Sequence, residues 1–165
     1  RDHGHIFDHH FVEFTYPEGQ IISSQCRHQK GCMNRVEEVF QGTKGHLRIN
    51  NNNFSSINLY GGKSVYQHLD QGDDNPYQVE HNLLFKAVKS GKFQFDDVAY
   101  GASSTMTAIL GRMATYSGQF LTWDQAMASD LKLVPDLNSF NDIAPVVPDA
   151  DGHYPVPVPG VTKFI

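Results

Sequence analysis

Residues 5–28 read HIFDHHFVEFTYPEGQIISSQCRH, and this stretch decides the fold. Ile6, Phe7, Phe11, Val12, Phe14 and Tyr16 form one extended apolar run, and Ile21, Ile22 and Cys26 form another. Between them, Pro17-Glu18-Gly19 supplies the dihedrals of a turn, so the two runs fold back on each other as a hairpin. The same pattern recurs downstream. Val36 to Gln41 faces His46 to Ile49 across Gly42-Thr43-Lys44-Gly45, and Phe54 to Tyr60 meets Lys63 to Leu69 across Gly61-Gly62. Loops this short join antiparallel neighbours, whereas parallel strands need a long crossover. A polar break at Gln29 to Asn34 separates the first hairpin from the later strands.

After Leu69 the period changes. Asn75-Pro76 is an N-cap followed by proline at the first helical position, and Gly91 stands where a left-handed cap belongs, which predicts a helix over Pro76 to Ser90. Val79, Leu83, Leu84, Ala87 and Val88 recur along it at helical spacing. Met106, Ile109, Leu110 and Met113 mark a second helix over Ala102 to Ser117, and Thr122-Trp123-Asp124-Gln125 has the capping-box spacing of a short third. The apolar stripes are expected to lie on the sheet. From Pro135 on, prolines alternate with valines near the chain's end, which suits an extended arm. The expected architecture is α+β: a large, mostly antiparallel, open-faced β-sheet with two or three helices packed on one face. Residues 1–134 form the domain, and residues 135–165 form a Pro-rich arm packed on it.

At 165 residues the chain is long enough to bury a core without disulfides or metal. Its net charge of -5 argues against a nucleic-acid binder, and no apolar run reaches the length of a membrane helix. Cys26 and Cys32 lack the spacing of a zinc site and are expected to be free, which makes the cytoplasm the default location, with export still open.

Three clusters carry polar chemistry. Arg1-Asp2-His3-Gly4-His5 and Asp8-His9-His10 gather residues that first-row metals accept, but adjacent side chains of a strand point to opposite faces, so His9 and His10 do not serve one ion. The bland reading, polar positions on a half-solvated strand, is preferred, and no metal ligand is assigned. Arg27 and His28 end the second strand, where a guanidinium fork and an imidazole can meet an anionic or hydroxylated ligand. Tyr77, Glu80 and His81 open the first helix and share a face, and Glu80 in its first turn also has a structural reason in the helix dipole. Gly61-Gly62-Lys63-Ser64 lacks the upstream glycine of a phosphate loop, and neither G-x-G-x-x-G nor G-x-S-x-G occurs.

Gly4-His5-Ile6-Phe7-Asp8-His9, Val12-Glu13-Phe14, Tyr16-Pro17-x-Gly19, Cys26-Arg27, Gly42-Thr43-Lys44-Gly45 and Glu80-His81-x-x-Leu84 stand in order along the chain. They continue with Gly111-Arg112-Met113-Ala114, Gly118, Thr122-Trp123-Asp124 and Pro159-Gly160-Val161-Thr162-Lys163-Phe164. Together these resemble the carboxy-terminal domain of Gfo/Idh/MocA oxidoreductases over nearly the whole chain. The resemblance implies a missing amino-terminal Rossmann domain that binds NAD or NADP. It also implies a parent enzyme that moves a hydride to or from a sugar, cyclitol or related polyol. The family's dinucleotide fingerprint, Lys-Pro motif and catalytic histidine match nothing here, so no catalytic or cofactor residue is assigned, and the fragment is expected to bind no cofactor and to be inactive alone. By the same resemblance Arg27, His28, Tyr77, Glu80 and His81 are substrate contacts, Arg27 and Glu80 pair to fix the pocket wall, and the open sheet face joins subunits of a homo-oligomer. Two alternatives stand beside it: a non-enzymatic, sheet-based binding or assembly module, and half of an NAD-dependent glycosidase with the same fold.

Overall fold

The structure, a computed structural model, describes residues 6–50, 54–69, 75–133, 136 and 138–163. In chain order its elements are β1 (His9–Thr15), β2 (Ile21–Arg27), β3 (Glu37–Gln41), β4 (Gly45–Asn50), β5 (Phe54–Leu59), β6 (Ser64–Leu69), α1 (Pro76–Ser90), α2 (Val98–Ser117) and α3 (Trp123–Met127). They fall into two compact units, residues 1–30 with 97–165, and residues 31–96. The α+β class with open antiparallel sheets is what the structure shows, with the strands divided into a pair, β1-β2, and a set of four, β3-β4-β5-β6.

In the first unit, β1 and β2 pair from His9↔Arg27 to Thr15↔Ile21, the register that the turn at Pro17-Glu18-Gly19 sets. Burial alternates along β1, with His10, Val12 and Phe14 half-buried and their neighbours exposed, because the even positions face α2. Gly111 makes that approach possible: a Cβ there would stand 3.0 Å from Cζ of Phe14 and 3.7 Å from Cγ2 of Val12. Helix α2 begins one turn earlier than the apolar spacing predicts. Its N-cap, Asp97, makes no side-chain capping bond, so the sequence carries no start signal there. Met113, Tyr116 and Ser117 are its buried side chains. The Pro-rich arm meets the end of α2, where Pro157 is buried and the Gly160 N–H donates to the Ser117 carbonyl at 2.6 Å.

The second unit holds the four-stranded sheet and α1. Cross-strand partners share a face, so Phe40, Leu47, Ile57 and Tyr66 form one row across the four strands, with Glu38, Ile49, Ser55 and His68 as the next row. This face is open: Phe40 is 57% exposed, Tyr66 48% and Ile57 38%. The opposite face carries Glu37, whose Oε2 accepts from Nε and Nη2 of Arg48 at 2.9 and 2.6 Å, while Arg35 Nε lies 3.2 Å from Oε1. Helix α1 has the bounds that its two end signals predict: the Asn75 side chain accepts from the Tyr77 N–H at 2.9 Å, and Gly91 closes it at φ 64°. Among the described residues α1 lies against no strand of its unit. No described helix is long and apolar enough to cross a membrane.

Candidate functional site

The hairpin's open end gathers the first unit's polar chemistry. Register places Arg27 opposite His9, on the face of the hairpin turned away from α2. Beside them the Asp8 carboxylate accepts from His9 Nδ1 at 2.6 Å and from Gln29 Nε2 at 3.0 Å, while its backbone carbonyl accepts from the His28 N–H at 2.8 Å. The hydrogen bond from His9, then that from Gln29, holds the Asp8 carboxyl below the ordinary aspartate range, against a smaller desolvation effect in the other direction. A carboxylate that holds Nδ1–H of an imidazole leaves Nε2 as the acceptor, and the neighbouring guanidinium adds a cation. An acceptor and a cation on one strand end can orient a hydroxyl or an anion. His28 joins through its backbone.

This geometry fixes a pH dependence. A carboxyl whose folded pKa is depressed contributes stability above its unfolded value and loses it as pH falls through the folded one. The His9 and Gln29 bonds are therefore expected to persist through the range in which ordinary aspartates protonate, and to break below it. A carboxyl carbon NMR titration checks this: the Asp8 midpoint should lie below the ordinary range and rise in Gln29→Ala, and an ordinary midpoint in both would refute the bond network.

Tyr77, Glu80 and His81 belong to the second unit and lie together at the amino end of α1. His81 Nδ1 donates to the Tyr77 carbonyl at 2.6 Å and stands 3.6 Å from Glu80 Oε1. All three side chains are exposed, Tyr77 at 73%. The expected dipole role of Glu80 is corrected here: no acidic residue occupies the first turn, and Glu80 sits one turn further in, where the dipole's effect has decayed.

A groove of about 910 Å³ opens in the first unit. Phe14, Tyr16, Leu110, Leu121, Trp123 and Pro157 give it an apolar, aromatic lining, and His10 and Thr115 add polar atoms. His10 Nδ1 lies 2.9 Å from Thr115 Oγ1, whose own proton goes to the Arg112 carbonyl at 3.0 Å, so the imidazole donates to the hydroxyl. His10 therefore faces α2 while His9 holds Asp8, the divergence that alternation predicts for adjacent strand residues. Asp2, His3 and His5 lie outside the described residues. Asp149, Asp151 and His153 bring ligand atoms within 4.8 Å of one another on an exposed turn, but Asp149 Oδ1 already accepts the N–H groups of Asp151 and His153 at 3.0 and 2.8 Å. Sequence reading missed the groove, because its walls come from segments about 100 residues apart, joined by no local motif. Comparison with protein-family models, curated proteins and solved structures finds no match.

Proposed function

We propose that this chain is the substrate-binding and assembly half of an NAD(P)-dependent oxidoreductase that acts on a sugar, cyclitol or related polyol, as the carboxy-terminal domain of Gfo/Idh/MocA enzymes is. The ordered motifs favour the reading, and the observation that carries it is the apolar face of the four-stranded sheet. Phe40, Leu47, Ile57 and Tyr66 in one row, flanked by Glu38 and His68, have the apolar centre and polar rim of a subunit interface. A soluble chain gains by burying such a patch against a partner, and a homo-oligomer provides one.

The hairpin end supplies contacts to hydroxyls: the Arg27 guanidinium donates, and His9, oriented by Asp8, accepts. Tyr77, Glu80 and His81, exposed together at the start of α1, are hydroxyl contacts by the same resemblance. The residues present do not fit a nicotinamide dinucleotide. Helices α1, α2 and α3 begin at Asn75-Pro76, Asp97-Val98 and Thr122-Trp123, without the glycine-rich turn that a pyrophosphate needs. On this reading the hydride carrier is held by the Rossmann domain that Gfo/Idh/MocA enzymes carry, and no step of hydride transfer is assigned to this chain.

Two measurements test the reading. Light scattering should give a dimer or larger species, and Ile57→Lys, a charge in the centre of the row, should weaken assembly by about 30-fold or more, the scale of a hot-spot loss. A wild-type monomer at micromolar concentration would overturn the assembly role. The reading frame ahead of residue 1 should encode a dinucleotide fingerprint, and a frame without one would leave the non-enzymatic assembly module as the better account.

A further inference from the structure

The backbone bonds of the hairpin show which way each residue of β1 points. The His28 N–H bonds the Asp8 carbonyl, and the Tyr16 N–H bonds the Gln20 carbonyl at 2.9 Å. In an antiparallel pair the hydrogen-bonded residues alternate, so the even positions from Asp8 to Tyr16 spend their backbone groups on β2. The N–H and C=O groups of His9, Phe11, Glu13 and Thr15 must then point outward, and among the described residues none of them is paired. The groove lies against this outward edge. Its lining takes residues of both faces of β1 in unbroken succession, and none of β2. The facing wall is mostly apolar, with Leu110 and Ala114 on α2, Leu121, Trp123 and Pro157 set among Thr107, Thr115, Gln119 and Thr122.

We propose that this groove is a peptide-binding site in which an extended segment adds to β1 as a third strand. Such strand addition draws affinity from main-chain bonds and specificity from alternate side chains. The bound segment carries apolar side chains on the face it shares with His10, Val12 and Phe14, towards Leu110 and Ala114. On its other face it carries a basic residue opposite Glu13. Glu13 exchanges its outward backbone bonds with that residue, so the two side chains stand as direct cross-strand neighbours, where opposite charges attract. A second copy of the chain does not suit the site, because its own β1 is recessed in an identical groove and two concave edges do not interlock.

The test uses the whole chain and an end-blocked peptide of sequence Thr-Val-Lys-Val-Thr-Val. Trp123 is the chain's single tryptophan and lines the groove, so its emission reports occupancy. Titration should give a saturable change. N-methylation of the peptide nitrogens that face β1 should weaken binding about tenfold for each bond removed, while N-methylation of the opposite edge should leave it unchanged. Glu13→Lys should weaken the lysine peptide and strengthen its glutamate counterpart. Methylating the peptide leaves the protein's folding untouched, so a null result there is informative. Absence of any Trp123 response, equal effects of the two methylation patterns, or a response that disappears because the chains pair through β1 would each overturn the proposal.

Discussion

Tyr116→Ala is expected to lower the stability of the first unit by about 3–5 kcal/mol, the cost of removing a large buried aromatic ring. Tyr116 is 1% exposed, and Phe7, His10 and Arg112 lie against its ring. Phe7 stacks on it at 4.3 Å between centroids and an interplanar angle of 22°, His10 lies nearly parallel at 5.8 Å, and the Arg112 guanidinium sits 4.2 Å from its centroid. Its hydroxyl accepts from the Phe7 N–H at 2.9 Å, tying the chain just ahead of β1 to the helix that covers it. Tyr116→Phe keeps the ring and loses the bond from the Phe7 N–H, so its cost should be nearer 1 kcal/mol. Urea unfolding followed through Trp123, which lies in the same unit, separates the two. A Tyr116→Ala loss no larger than that of Tyr116→Phe would show that the ring is not what joins hairpin to helix.

That contact also shows where the sequence stops being readable. The strands are legible because each turn is announced locally, by Pro17-Glu18-Gly19 or by Gly61-Gly62, and period-two alternation needs only a few residues to declare itself. Helix α1 is legible at both ends for the same reason, since Asn75-Pro76 and Gly91 are chemical stop signs. The division of the strands into a pair and a set of four is not local. The polar break at Gln29 to Asn34 marks a long connection, but its composition does not say whether the next strand rejoins the same sheet. Tyr116 meets Phe7 across 109 residues, and no composition or spacing foretells that pairing.

The candidate site divides in the same way. Arg27 and His28 are legible as polar residues at a strand end, and Asp8 and His9 are legible as part of a histidine-rich cluster. That Asp8 holds His9 and Gln29, with Arg27 opposite His9, follows from the strand register, which the three-residue turn fixes. Sequence reading kept these residues apart, Asp8 and His9 as polar positions of a half-solvated strand with no metal ligand assigned and Arg27 and His28 as a ligand contact, because it treated the strands one at a time. The unpaired edge of β1 was likewise within reach of hairpin arithmetic. What the sequence could not supply is the wall opposite it, built from α2, the loop after it and the arm.

The arm's attachment rests on Gly118, and the same substitution at two helix ends measures it. Gly91 and Gly118 close α1 and α2 in the same left-handed conformation, at φ 64° and 68°. A Cβ at Gly91 would meet nothing within 4 Å, whereas a Cβ at Gly118 would stand 2.8 Å from Cβ of Pro159 and 3.0 Å from the Gly160 nitrogen. Gly91→Ala should therefore cost only the backbone penalty, about 1–2 kcal/mol. Gly118→Ala carries that penalty and an overlap with the arm besides, which overpacking data place at about 1–3 kcal/mol more. Because the close atoms of Gly160 are backbone, the overlap cannot be relieved by turning a side chain. The arm must lift, and the 2.6 Å bond from Gly160 to Ser117 lengthens or breaks with it. Limited proteolysis should then cut the segment around Val158 to Thr162 faster in Gly118→Ala than in wild type, with no such change in Gly91→Ala. Equal costs and equal cleavage in the two variants would mean that the arm holds its place without the contact at Gly118. The groove wall formed by Pro157 and Pro159 would then have to be held by other interactions.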